Sequence, residues 1–115
     1  MSKYTLLIYM PVDGPPADVD PAAQRQRFFT FTERLRRDGV WLGGEALQET
    51  VAATTVRRRD GELGITDGPF AETKEYLAGY YLLECADLDK ALEYAADIPN
   101  VDYASIEVRP VLDVA

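Results

Sequence analysis

Asp67, Thr73, Lys74 and Glu75 crowd a single short run, Thr66-Asp67-Gly68-Pro69-Phe70-Ala71-Glu72-Thr73-Lys74-Glu75. A carboxylate and an amine gathered at the mouth of a cleft shift each other's pKa when partly buried. Asp67 would then serve as a base, with the other three as ligand-binding groups. The same run also has a plain structural use. Gly68 supplies unusual backbone angles, Pro69 fixes its own, Phe70 plugs the core, and Asp67 hydrogen-bonds nearby amides. Both readings stay open on the residues alone.

Three further residues are candidates for a binding site. Arg109 is the only basic residue after Lys90, and its forked donors suit a substrate carboxylate or, equally, a neighbouring acid. Glu45 follows Gly43-Gly44 as an inward polar group or an ordinary strand-end acid. Tyr9 either binds a ligand or packs with a satisfied hydroxyl. Cys85 lies between Glu84 and Asp87, surroundings that raise a thiol pKa and disfavour a reactive thiolate. The chain has no histidine, which excludes Ser-His-Asp and Cys-His nucleophile systems. One cysteine without histidine also excludes a structural zinc site. Carboxylate-only metal binding has no supporting spacing, and no cofactor is implied.

The elements that must position these residues are legible. Residues 3–10 read as a first, mostly buried strand. Asp20-Pro21 is an N-cap followed by proline at the first helical position, and the helix should run to about Asp38, with Phe28, Phe31 and Leu35 on the core face. Gly39 stops it. A second strand spans residues 40–47, where Gly43-Gly44 signals a bulge or a close backbone approach. Residues 53–59 and 62–66 form a hairpin around Asp60-Gly61, the signature of a type I′ turn. Residues 78–85 form another strand. Asp87 caps a second helix in which Leu88, Ala91, Leu92 and Ala95 recur with helical period, and Pro99 ends it. Residues 104–111 make the last strand. This order predicts an α+β fold: an antiparallel sheet with both helices on one face and an inserted hairpin. The other face then needs cover, which a face-to-face homodimer supplies.

The 115 residues, 47% hydrophobic and 28% charged, suit one soluble domain, 1–115. No apolar run approaches the ~20 residues of a membrane helix. The opening Met1-Ser2-Lys3-Tyr4-Thr5-Leu6 lacks signal-peptide flanks, and the lone cysteine fits a reducing compartment, so a cytoplasmic location is expected. The net charge of −8 argues against a nucleic-acid partner. That charge is uneven: residues 1–59 carry nine bases and seven acids, and residues 60–115 carry three and thirteen. Arginines cluster at 25, 27, 34, 36 and 37 and at 57, 58 and 59. They form either solvated faces or a basic patch for an acidic partner.

Asp67 through Glu75, followed by Gly79-Tyr80-Tyr81, resembles the signature of bacterial DGPF proteins in the YCII-related family. The resemblance extends over Lys3-Tyr4 to Tyr9, over Leu42-Gly43-Gly44-Glu45-Ala46-Leu47, and over Ser105-Ile106-Glu107-Val108-Arg109-Pro110. It implies a ferredoxin-like domain whose two sheets form a dimeric α+β barrel. Some relatives carry a histidine–aspartate pair, with the histidine on the first helix. That place falls near Phe28 here, so the paired mechanism does not carry over. Two functions follow as expectations. One is a small organic ligand held near the Asp67–Glu75 loop, with or without cofactor-independent turnover. The other is a regulatory module tied to extracytoplasmic-function sigma factors, implied by gene neighbourhood alone.

Overall fold

The first strand of the computed structural model, which describes residues 1–114, alternates its side chains between two very different environments. In β1 (Ser2–Pro11), Tyr4, Leu6 and Ile8 are buried, while Thr5, Leu7 and Tyr9 point the opposite way and are half-covered. The chain continues as α1 (Pro21–Arg37), β2 (Trp41–Ala46), a 3-10 turn (Thr50–Ala52), β3 (Thr54–Arg59), β4 (Glu62–Asp67), β5 (Glu75–Cys85), α2 (Leu88–Ala96) and β6 (Ser105–Pro110). Strands β2-β5-β1-β6 form one antiparallel sheet, and β3-β4 form a separate two-stranded ribbon. The order and the two helices on one face are those of a ferredoxin-like fold.

Local chemistry sets each boundary. The Asp20 carboxylate accepts from Ala22 N at 3.2 Å with Pro21 at the first helical position, so α1 starts there. Gly39, at φ +73°, turns the chain out of the helix. Asp87 caps α2 by accepting from Lys90 N at 2.9 Å. Asp60 and Gly61 take φ of +52° and +79°, as a type I′ turn requires.

The core lies between the sheet and the helices. Leu6, Leu83, Phe31, Leu35, Tyr81, Ala91, Tyr94, Ala95 and Ile98 fill it. Tyr81 meets the rings of Phe31 and Trp41 edge to face, at 5.5 and 6.0 Å between centroids. The buried stripe of α2 differs from the expected one. Leu88 and Leu92 are largely exposed, and Ala91, Tyr94 and Ala95 face inward with Ile98 beyond the helix. Small alanines let the helix lie close to the sheet, and the Tyr94 hydroxyl crosses to α1 to donate to Asp38 Oδ2 at 2.8 Å.

β3 and β4 pack on neither the sheet nor the helices to any substantial extent. The molecule is accordingly flat and drawn out, 47 × 44 × 18 Å with a radius of gyration of 16.2 Å. A compact chain of this length would have a radius near 13 Å.

Candidate functional site

Three rows of paired residues cross the sheet face that carries no helix. Glu45, Tyr80, Leu7 and Glu107 form one row; Gly43, Leu82, Thr5 and Arg109 the next; and Leu77, Tyr9 and Ser105 a third. Successive rows lie roughly 7 Å apart, the rise of two strand residues. Tyr9, Glu45 and Arg109 therefore share this open face but not one point on it. Arg109 lies two rows from Tyr9, and its Nε contacts the Glu107 carboxylate within its own strand. Glu75 is paired with Pro11 beyond the Tyr9 row, and its Oε1 accepts from Ser105 Oγ at 3.3 Å.

The double glycine acts through geometry. A Cβ at Gly44 would sit 2.7 Å from the Tyr80 carbonyl, and one at Gly79 would sit 2.9 Å from the Glu45 carbonyl. β2 and β5 approach so closely that neither position admits a side chain. The pairing also slips by one residue between Trp41 and Gly43, which leaves Leu42 as a bulge.

The Asp67–Glu75 run closes the base of the ribbon. Asp67 is the last residue of β4, opposite Thr54, and is exposed. Gly68, at φ +95°, donates its N–H to Ala53 O at 2.7 Å, and its carbonyl accepts from Thr55 Oγ1 at 2.8 Å. Arg57 donates to Phe70 O at 3.1 Å and lies over the Phe70 ring at 5.8 Å. Phe70 is 75% exposed and does not plug the core. The turn at Gly68 carries it outward to the ribbon, where Arg57 is its main cover. The Asp67 carboxylate has no hydrogen bond to an amide among the described residues. Gly68, Thr55 and Arg57 hold the turn instead. Thr73 Oγ1 donates to the carbonyl of Glu75, and Lys74 O accepts from Val12 N at 2.9 Å. The Lys74 side chain is exposed. No ion pair joins Asp67 and Lys74 among the described residues.

A groove of about 470 Å³ opens where the ribbon leaves the sheet, lined by Leu47, Gln48, Glu49, Thr50, Ala52, Ala53 and Leu77. Leu77 belongs to the Tyr9 row of the open face, and Ala53 receives the Gly68 N–H. The groove thus joins the open face to the base of the ribbon. Sequence reasoning missed the wall at 47–53, because a short connection without periodicity carries no signal of burial. Of the two readings of Arg109, the structure shows the pairing with a neighbouring acid: that acid is Glu107, two residues away on the same face of the strand.

Elsewhere, the Cys85 thiol is buried and burial pushes its pKa up, with Asp87 adding to the effect. It is a core group. No group of carboxylates and thiols among the described residues could hold a metal. No helix among them is long and apolar enough to cross a membrane.

The YCII-related domain family matches residues 6–115. An uncharacterized protein of Rhizobium meliloti (strain 1021) is 52% identical over 67 residues, which cover 56% of this chain and 54% of that protein. The match thus spans about half the length of that relative.

Proposed function

This chain belongs to the YCII-related domain family, and on that premise we propose that it is a small-molecule-binding homodimer. The two open sheet faces meet as a dimeric α+β barrel, and the ligand lies in the groove beside Leu77 and residues 47–53. The observation that carries this reading is the groove itself. At about 470 Å³ it falls within the range of small-ligand sites, and it joins aliphatic walls to a few polar groups, as such sites do. Glu49 lines it, Tyr9 and Glu45 lie on the adjoining face, and Glu75 stands beyond the Tyr9 row. Asp67 stands opposite Thr54, one residue from the Ala53 wall. It is the acid–base group we assign to any conversion of the bound molecule. Thr73, Lys74 and Arg109 lie farther out and would set the charge that an approaching ligand meets. A lone buried thiol fits a cytoplasmic setting.

Amide chemical shifts during titration with a library of small organic acids test the reading. Perturbations should concentrate at Leu47–Ala53 and Leu77, and should persist in Asp67→Asn while any turnover is lost. Shifts confined to the helices would defeat it.

A second reading, a regulatory module that binds another protein such as an extracytoplasmic-function sigma factor, draws on exposed Phe70 and on Arg57, Arg58 and Arg59. Affinity capture on the immobilised chain should then recover a sigma factor, and replacing the three arginines with alanine should abolish the recovery.

A further inference from the structure

The β3–β4 ribbon is amphipathic: Phe70 lies against Arg57 on one face, and the aliphatic side chains of the other stay more than half exposed. The pairing of Val56 with Ile65 and of Arg58 with Leu63 puts these four side chains on one face, with the Thr54–Asp67 pair at its base. Arg57, Arg59, Glu62, Gly64 and Thr66 take the other. Val56, Leu63 and Ile65 are 59%, 54% and 66% exposed. A free two-stranded ribbon is marginal in water, and three large aliphatics aligned on one side of it mark a surface that expects a partner.

We propose that this ribbon is an exchange arm. In the homodimer each protomer lays the Val56–Leu63–Ile65 face of its ribbon on the rim of its partner's open sheet, so that the arm of one chain helps wall the groove of the other. The occupant is a second copy for two reasons.

The first is area. The chain exposes 8157 Å², whereas a compact monomer of its mass would expose roughly 6,300 Å². The surplus of about 1,900 Å² exceeds the ~800 Å² that each partner gives to a standard interface. The four strands, of 10, 6, 11 and 6 residues, lie about 4.8 Å apart and offer a flat footprint of only about 500 Å². The open face therefore accounts for part of the surplus, and the arm is the other large uncovered element.

The second is charge. Arg58 shares the apolar face of the arm and has no carboxylate within ion-pair reach among the described residues. On the open face, Glu45 has no cation within that reach among the described residues, and Leu47, Leu77 and Tyr80 lie near it. The outer, apolar end of the arm carries Arg58 as its one cation, with Asp67 four residues from Leu63 at the base of the same face, and it matches an aliphatic patch with Glu45 as its anion.

The inference rests on the homodimer of the preceding section, and sedimentation equilibrium of the full-length chain separates the two. The wild type should be a dimer. Val56→Asp/Ile65→Asp should weaken association at least 100-fold with an unchanged far-ultraviolet circular dichroism spectrum, because both side chains are already exposed within one protomer. Arg58→Glu should weaken it about tenfold and Arg58→Lys should not. A double variant that associates as tightly as the wild type overturns the arm and leaves the open-face dimer standing. A monomeric wild type overturns both and leaves the arm to a different protein.

Discussion

At the scale of single residues, the groups under most constraint are a pair of glycines and a pair of tyrosines. Alanine at Gly44 or Gly79 would drive a Cβ into a backbone carbonyl that cannot swing aside. Each substitution should cost about 1–3 kcal/mol, read as a lower urea midpoint at unchanged slope. Gly43→Ala meets open space and should cost far less. Tyr81 is held above the ordinary tyrosine pKa by burial, with its Thr32 contact pulling the other way. Tyr94 is raised by burial and then by Asp38, which it would repel once ionised. A raised acid binds its proton more tightly in the folded state. The stabilisation is therefore complete below the ordinary value of 10.0 and is lost as pH climbs through the folded values above it. Absorbance at 295 nm should show two late-titrating tyrosines whose ionisation coincides with unfolding. Titration of every tyrosine near pH 10 with the fold intact would refute this. The double glycine was legible in sequence because a strand interior without side chains has few other uses. The exposure of Phe70 was not legible. An aromatic after a turn normally goes inward, and only the register of β3 shows that Arg57 is there to cover it.

At the scale of elements, the strands, helices and type I′ turn were readable because each is decided locally, by alternation, by Asp20-Pro21 and Asp87 caps, and by Asp60-Gly61. The burial stripe of α2 was misjudged for the opposite reason. Leucine periodicity names a face, but it is the reach of Tyr94 to Asp38 that sets which face turns to the sheet. The Asp87 cap should be worth about 1 kcal/mol on replacement by alanine, seen as a lowered melting temperature with helix content retained. The ribbon predicts a contrast. Its strands have no third neighbour and little packing, so amides of β3 and β4 should exchange with solvent much faster than those of β1 and β5 in dilute protein. Their protection should rise as the dimer forms. Equal protection throughout the dilution range would mean that the ribbon is stable unaided.

At the scale of the whole molecule, one thin layer of helices on one sheet leaves half of that sheet uncovered. The hairpin was legible as an insertion, but neither the groove nor how little the ribbon packs on the rest of its chain could be read from sequence, because both arise where connections of no fixed pattern meet in space. The excess surface is a property of the assembled fold alone. If association covers it, folding and association are one equilibrium, and stability must depend on concentration by mass action. Raising the protein hundredfold adds about 2.7 kcal/mol per dimer. Against the unfolding entropy of two chains of 115 residues, that corresponds to an increase of about 6 °C in Tm. Scanning calorimetry from about 1 to 100 µM should follow that slope in the wild type and a shallower one in the Val56→Asp/Ile65→Asp variant, whose weaker dimer dissociates to folded protomers at the dilute end of the range. A Tm unchanged over the range would mean that one protomer is stable with its sheet face open to water, and the groove would then have to bind its ligand without a second chain.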